Sequence, residues 1–246
     1  MNTKQICFWG ILLVSLMATY EYLVQSNITP SFLCTLPSLV YHETKLRIAT
    51  GSNTLAQMPE KIVGKNILLT KLHTNDRTRL AKLYANKESA SSFFVRNGVY
   101  LGPSQDPHAF VNTQLIQQCF GSLILYVVTK PPTNNAPAEF MGVIGAEVSN
   151  VFKNECTILG MALTQYWGTG NANQSTALFL ETFFKHSPWT SILASTSPHN
   201  SRSHSFLLKG GFTFSHIAQE HLVKNELVFR LKKIDLINKD KNGINS

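Results

Sequence analysis

The segment Gln165-Tyr166-Trp167-Gly168-Thr169-Gly170-Asn171-Ala172 constrains this chain more than any other. A β-like run, Thr157–Leu163, leads into it, and a helical pattern from about Asn171 to His186 leaves it. A strand that passes through Gly-x-Gly into a helix needs a tight turn, and glycine supplies the positive φ such turns require. The first turn of the helix then presents unpaired N–H groups and the positive end of the helix dipole. Such an arrangement is a cradle for an anion. Asn171 and Asn173 add polar groups without negative charge. Taken alone, the same pattern also describes a tight loop that holds nothing.

The rest of the chain alternates in a way that places this loop. Asn66–Leu72 is β-like, and Asn75–Asn86 carries Leu80, Leu83 and Tyr84 at helical spacing after an Asn/Asp cap. Ser104–Gln118 predicts a helix with a stripe of Phe110, Val111, Leu115 and Ile116. Strands are expected at Gly121–Thr129, Phe140–Ser149, Thr157–Leu163, Ser191–Thr196, Phe212–Ile217 and Leu227–Leu231, with a short helix near Ser201–Lys209. Helices first, then a run of antiparallel strands, then strand–helix–strand–helix–strand, define an α/β (α+β) layer arrangement around a mostly antiparallel mixed sheet.

Charge divides the chain unevenly. Residues 1–60 carry three Lys/Arg and three Asp/Glu, so the net charge of +8 belongs to residues 61–246. A basic domain suits a nucleotide cofactor, an acidic protein, RNA or a lipid surface. Without a Lys/Arg block interleaved with aromatics, nucleic acid is not expected as a partner. The cysteines, at 7, 34, 119 and 156, form no C-x-x-C pair and have no histidine at ligand spacing, so neither a metal site nor a disulfide framework is expected.

The N-terminus stands apart. An apolar run from Ile6 to about Val24, interrupted by Glu21, is marginal for a bilayer span. It reads as a membrane anchor, a cleaved signal, or a segment outside the working protein, since Met58 opens a chain of single-domain length. Residues 25–60 read as a linker, 61–233 as the folded domain and 234–246 as a polar tail.

Trp167-Gly168-Thr169-Gly170-Asn171-Ala172 resembles the pyrophosphate loop of the GNAT (GCN5-related N-acetyltransferase) superfamily, most closely its ribosomal-protein N-terminal acetyltransferase branch. That branch also holds enzymes acting on small amines. Asn200-Ser201-Arg202-Ser203, followed by Gly211-Phe212, resembles the family's Asn-x-x-Ser … Gly-Phe segment. The resemblance implies the GNAT fold, with helices on both sheet faces and two central strands splayed in a V where Gly160–Leu163 leads into the loop. It implies acetyl-CoA as acyl donor, no metal, and a primary amine as acceptor, a protein N-terminus or lysine slightly ahead of a small amine.

By the same resemblance, main-chain groups of Met161, Ala162 and Leu163 pair with the pantetheine arm. Those of Gly168, Thr169, Gly170, Asn171 and Ala172 bind the pyrophosphate. Asn200 holds the arm, and Ser203 protonates the departing thiolate. Asn200 and Ser203 could equally cap the helix they begin. Glu155 stands near the position where family members carry a carboxylate base; Glu147 is the alternative. A silent acyl-CoA-binding module or a membrane-tethered scaffold competes with the enzyme. The implied location is cytoplasmic, where the donor is found, with membrane attachment through residues 6–24 as a further expectation.

Overall fold

The computed structural model describes residues 55–86, 88–89, 95–96, 99–100, 107–132, 137–148, 155–219 and 225–242. The apolar run at 6–24, and all of the linker before Leu55, lie outside these residues. Among the described residues, no helix is long and apolar enough to cross a membrane.

Among the described residues, eight strands form one sheet in the order β1-β2-β5-β6-β7-β8-β10-β9. They are β1 (Lys61–Val63), β2 (Leu68–Lys71), β5 (Leu123–Lys130), β6 (Glu139–Val148), β7 (Cys156–Ala162), β8 (Ser191–Thr196), β9 (Thr213–Ile217) and β10 (Leu227–Lys232). A separate pair joins β3 (Val95–Arg96) to β4 (Val99–Tyr100). Every neighbour in the large sheet is antiparallel except β7 with β8. This is the α/β arrangement of the sequence reading.

Alternation along β5, β6 and β7 sends side chains into two cores. Ile124, Tyr126, Ile144, Ala146 and Cys156 join one core, whereas Leu123, Leu125, Val127, Val143 and Met161 join the other. Helices cover both faces. On the first lies α3 (Asn171–His186), which buries Phe179, Leu180, Phe183 and Phe184 at helical spacing. Phe179 meets Tyr126 edge-on at 6.0 Å between ring centroids. Each such ring contributes on the order of 2 kcal/mol by leaving water. On the other face lie α1 (Arg77–Ala85) and α2 (Pro107–Phe120), through Leu80, Leu83, Tyr84, Val111 and Leu115. Gln118 ties α2 to the sheet by donating to Leu72 O (2.9 Å) and accepting from Leu125 N–H (3.0 Å).

Two differences from the sequence reading have local causes. β1, β3 and β4 are too short to show a period. The polar tail continues from β10 as α5 (Lys233–Asn242), a helix without an apolar stripe strong enough to announce it. Lys233 at its start donates Nζ–H to Phe184 O (2.6 Å), satisfying a carbonyl in the last turn of α3.

Candidate acyl-donor site

β7 and β8 are joined at a single rung, Thr157 opposite Leu193. Beyond it they separate, and a cavity of about 1010 Å³ lies between them, lined by Ile158 to Ala162 on one side and Ala194 to Ser197 on the other. β7 remains fully paired to β6, from Val148↔Cys156 to Gly142↔Ala162. Leu163 N–H is taken by Met141 O (2.9 Å), which sets the alternation of the ladder. Gly160 and Ala162 therefore turn their main-chain groups toward the cleft, while Met161 and Leu163 spend theirs on β6. Of Met161, Ala162 and Leu163, only Ala162 turns its main-chain groups to the cleft. Its carbonyl already accepts from Trp167 Nε1–H (3.1 Å) and Ser89 Oγ–H (3.3 Å).

The glycine loop lies at the open end of this cleft. Gly168 has φ +75° and Gly170 φ +83°, and a Cβ on either would meet nothing within 4 Å. Glycine is thus needed for backbone conformation, and the space above it is open for a ligand. Thr169 Oγ1–H closes the turn onto Tyr166 O (2.8 Å), and Asn171 Nδ2–H donates to Thr169 Oγ1 (2.9 Å). Gly170 is the N-cap of α3 and gives it no side-chain cap. Asn171, Ala172 and Asn173, the first residues of this 16-residue helix, line the cavity, which places the positive end of the helix dipole there.

The facing wall is α4 (Ser201–Lys209). Asn200 is its N-cap: Oδ1 accepts Ser203 N–H at 3.1 Å. That leaves the Asn200 amide Nδ2 as a donor, and Asn200, Arg202 and Ser203 all line the cavity. His204 Nε2 lies 2.9 Å from Ser197 O and its ring packs on Phe229, so this histidine anchors α4 to β8.

Residues 66–213 match the family model of the acetyltransferase (GNAT) domain. The chain belongs to the GNAT family of acetyltransferases. No curated protein matches the sequence. Among solved structures, RimJ of Mycobacterium smegmatis in complex with CoA-disulfide superposes with a TM-score of 0.56 at 14% identity, over 72% of this chain and 89% of that one. An acetyltransferase from Agrobacterium tumefaciens gives 0.57 at 18% identity, over 70% and 94%. Spermidine N-acetyltransferase from Vibrio cholerae, in complex with CoA and spermine, gives 0.57 at 12% identity, over 71% and 100%. At these identities the likeness is one of fold.

The two candidate carboxylates of this GNAT domain differ in situation. Glu155 does not line the cavity. Both its oxygens accept from Arg230, Nη1–H to Oε2 at 2.6 Å and Nη2–H to Oε1 at 3.0 Å. Arg230 also donates to Ser191 Oγ (3.1 Å). Glu147 does line the cavity and is exposed within it, directly across the ladder from Thr157. The Thr157 Oγ1 is buried with no hydrogen-bond partner among the described residues. Beside them, Thr113, Gln114 and Gln117 of α2 face the same space. Gln114 is held by Tyr84, whose Oη–H donates to its Oε1 at 2.8 Å. These α2 residues were not singled out by sequence, because nothing in a helix stripe tells which polar side will face a cleft. No cluster of three or more His, Cys, Asp or Glu suited to a metal occurs among the described residues.

Proposed function

We propose that this GNAT domain moves an acetyl group from acetyl-CoA to a primary amine by direct attack in a ternary complex. The observation that carries this reading is the open Gly168–Gly170 cradle at the end of the β7/β8 cleft. The N–H groups of Gly168, Gly170, Asn171 and Ala172 suit the donor's diphosphate, whereas Thr169 N–H is spent on Tyr166 O (3.4 Å) and Thr169 does not line the cavity. The cleft-facing main chain of Gly160 and Ala162, with the Asn200 amide, suits the pantetheine arm. Holding both reactants in one cleft converts a bimolecular encounter into a local one.

Ser203, half-buried on the facing wall, is the proposed acid that returns a proton to the thiolate. For the base we propose Glu147 in place of Glu155. Glu155 is held by Arg230 and does not line the cavity, whereas Glu147 lines it, across the ladder from Thr157. A carboxylate there attracts an ammonium group and can take its proton. A net charge of +8 favours an acidic protein as the carrier of that amine over a free polyamine.

The experiment measures free thiol released from acetyl-CoA against a panel of peptide N-termini, lysine peptides and polyamines. Glu147→Gln is expected to lower kcat/KM by about 10²-fold or more at neutral pH, with Glu155→Gln close to wild type. The reverse order returns the base to Glu155. Tight CoA binding with no turnover of any acceptor supports the silent module instead.

A further inference from the structure

Among the described residues, the cavity wall carries three charged side chains: Glu147, Arg202 and Lys209. None of them comes from the glycine loop, whose Thr169 hydroxyl and Asn171 amide are bonded within the turn. The Arg202 guanidinium carbon lies 4.1 Å from the centre of the Trp167 ring. This contact reaches across the cleft mouth, from α4 to the residue preceding Gly168. The indole is itself fixed, because Nε1–H donates to Ala162 O (3.1 Å). Among the described residues no carboxylate pairs with Arg202. Lys209 lies at the far end of α4, about 10 Å further along the axis.

We infer that Arg202, carried on the face of Trp167, is the cationic ligand for the phosphate groups of the acyl donor. The inference rests on the acyl-CoA reading of the cleft. A guanidinium is planar: stacking occupies its face and leaves its edge N–H groups free, in a fork that matches a phosphate. The ring limits the rotamers of an otherwise exposed arginine, so less freedom is lost when an anion is bound. A flexible, strongly hydrated lysine would not take this place equally well. Arg202 is the ligand and Trp167 its positioning residue.

Calorimetry with CoA and with 3′-dephospho-CoA tests the inference on wild type, Arg202→Ala, Arg202→Lys, Trp167→Ala and the double alanine variant. Arg202→Ala is expected to weaken CoA by about ten- to a hundredfold, the range for a charge-assisted hydrogen bond. Arg202→Lys falls between. The same factor on dephospho-CoA puts the guanidinium on the diphosphate, and a factor confined to CoA puts it on the ribose phosphate; each supports the inference. Trp167→Ala should cost less in the Arg202→Ala background than in wild type. Additive losses would overturn the positioning role of the ring. Binding of both ligands by Arg202→Ala within about twofold of wild type would overturn the inference while leaving the acyl-CoA reading intact. A wild-type protein that binds no CoA overturns both.

Discussion

Asn200 and Ser203 are joined by one hydrogen bond, Ser203 N–H to Asn200 Oδ1 at 3.1 Å, so a residue proposed to hold the donor also caps the helix that carries the proposed acid. The capping and functional readings of Asn200 are compatible, because the cap uses the amide oxygen and the donor would use the nitrogen. The two roles separate by substitution. Asn200→Ala should lose about 1 kcal/mol of stability with the cap. Asn200→Asp should keep the cap and the stability yet raise the Kd for CoA. Urea denaturation and calorimetry on the same preparations check both.

Gly170 occupies a left-handed conformation with open space above it, φ +83° and nothing within 4 Å of a Cβ. Gly170→Ala should therefore cost only the conformational penalty, about 1–2 kcal/mol, with no clash. The new methyl group nevertheless stands in the cradle, so CoA affinity should fall by more than the loss of stability explains. A protein that melts lower but binds CoA normally would argue against an anion site at this turn.

The Glu155–Arg230 pair has side-chain exposures of 38% and 28%, so solvent screens it. Glu155→Gln is expected to cost no more than about 1 kcal/mol, and less at high salt. Chemical denaturation at low and high ionic strength measures this. A larger loss, insensitive to salt, would mean that Arg230 cannot be re-solvated once its partner is gone.

Cys156 is 1% exposed, and its thiol is pushed far above the ordinary 9.0, first by burial and then by the Glu147 charge. Tyr84 and Tyr126 are raised from 10.0, chiefly by burial. In each case the fold favours the neutral form. The unfolded chain releases these protons first as pH rises, so stability is complete below about pH 9 and declines above it. Urea midpoints at about pH 8 and about pH 10.5 should show the decline. Cys156→Ala should flatten the slope between them. A buried thiol of this kind should also resist alkylation until the protein unfolds.

Tyr84→Phe removes the hydroxyl that holds Gln114, which lines the cavity together with Glu147. The acceptor KM should rise while the Kd for CoA stays unchanged, a split that initial-rate kinetics beside calorimetry resolves. Equal losses on both substrates would place Gln114 outside acceptor binding.

The stretch from β7 to α4 was legible because its signals are local. Asn171–His186 and Ser201–Lys209 are the helices that their apolar spacing and flanking Gly or Asn predict, and the glycines announce the turn between strand and helix. What stayed hidden depends on distance in the chain. Glu155 and Arg230 are 75 residues apart, so no local pattern reveals that one claims the other. Trp167 and Arg202 are visible as two motif residues, but their stacking is not. The tail helix and β3–β4 lack a period strong enough to read.

The single rung between Thr157 and Leu193 has a mechanical consequence. The sheet is two leaves, β1-β2-β5-β6-β7 and β8-β10-β9, bound along a spine one residue long. The facing edges of those leaves carry peptide groups that no neighbouring strand completes. A pantetheine chain lying between them would act as the missing strand, stitching the leaves together. Substrate would then be a structural member of the molecule for as long as it stays, and turnover would loosen the fold each time the thiol departs.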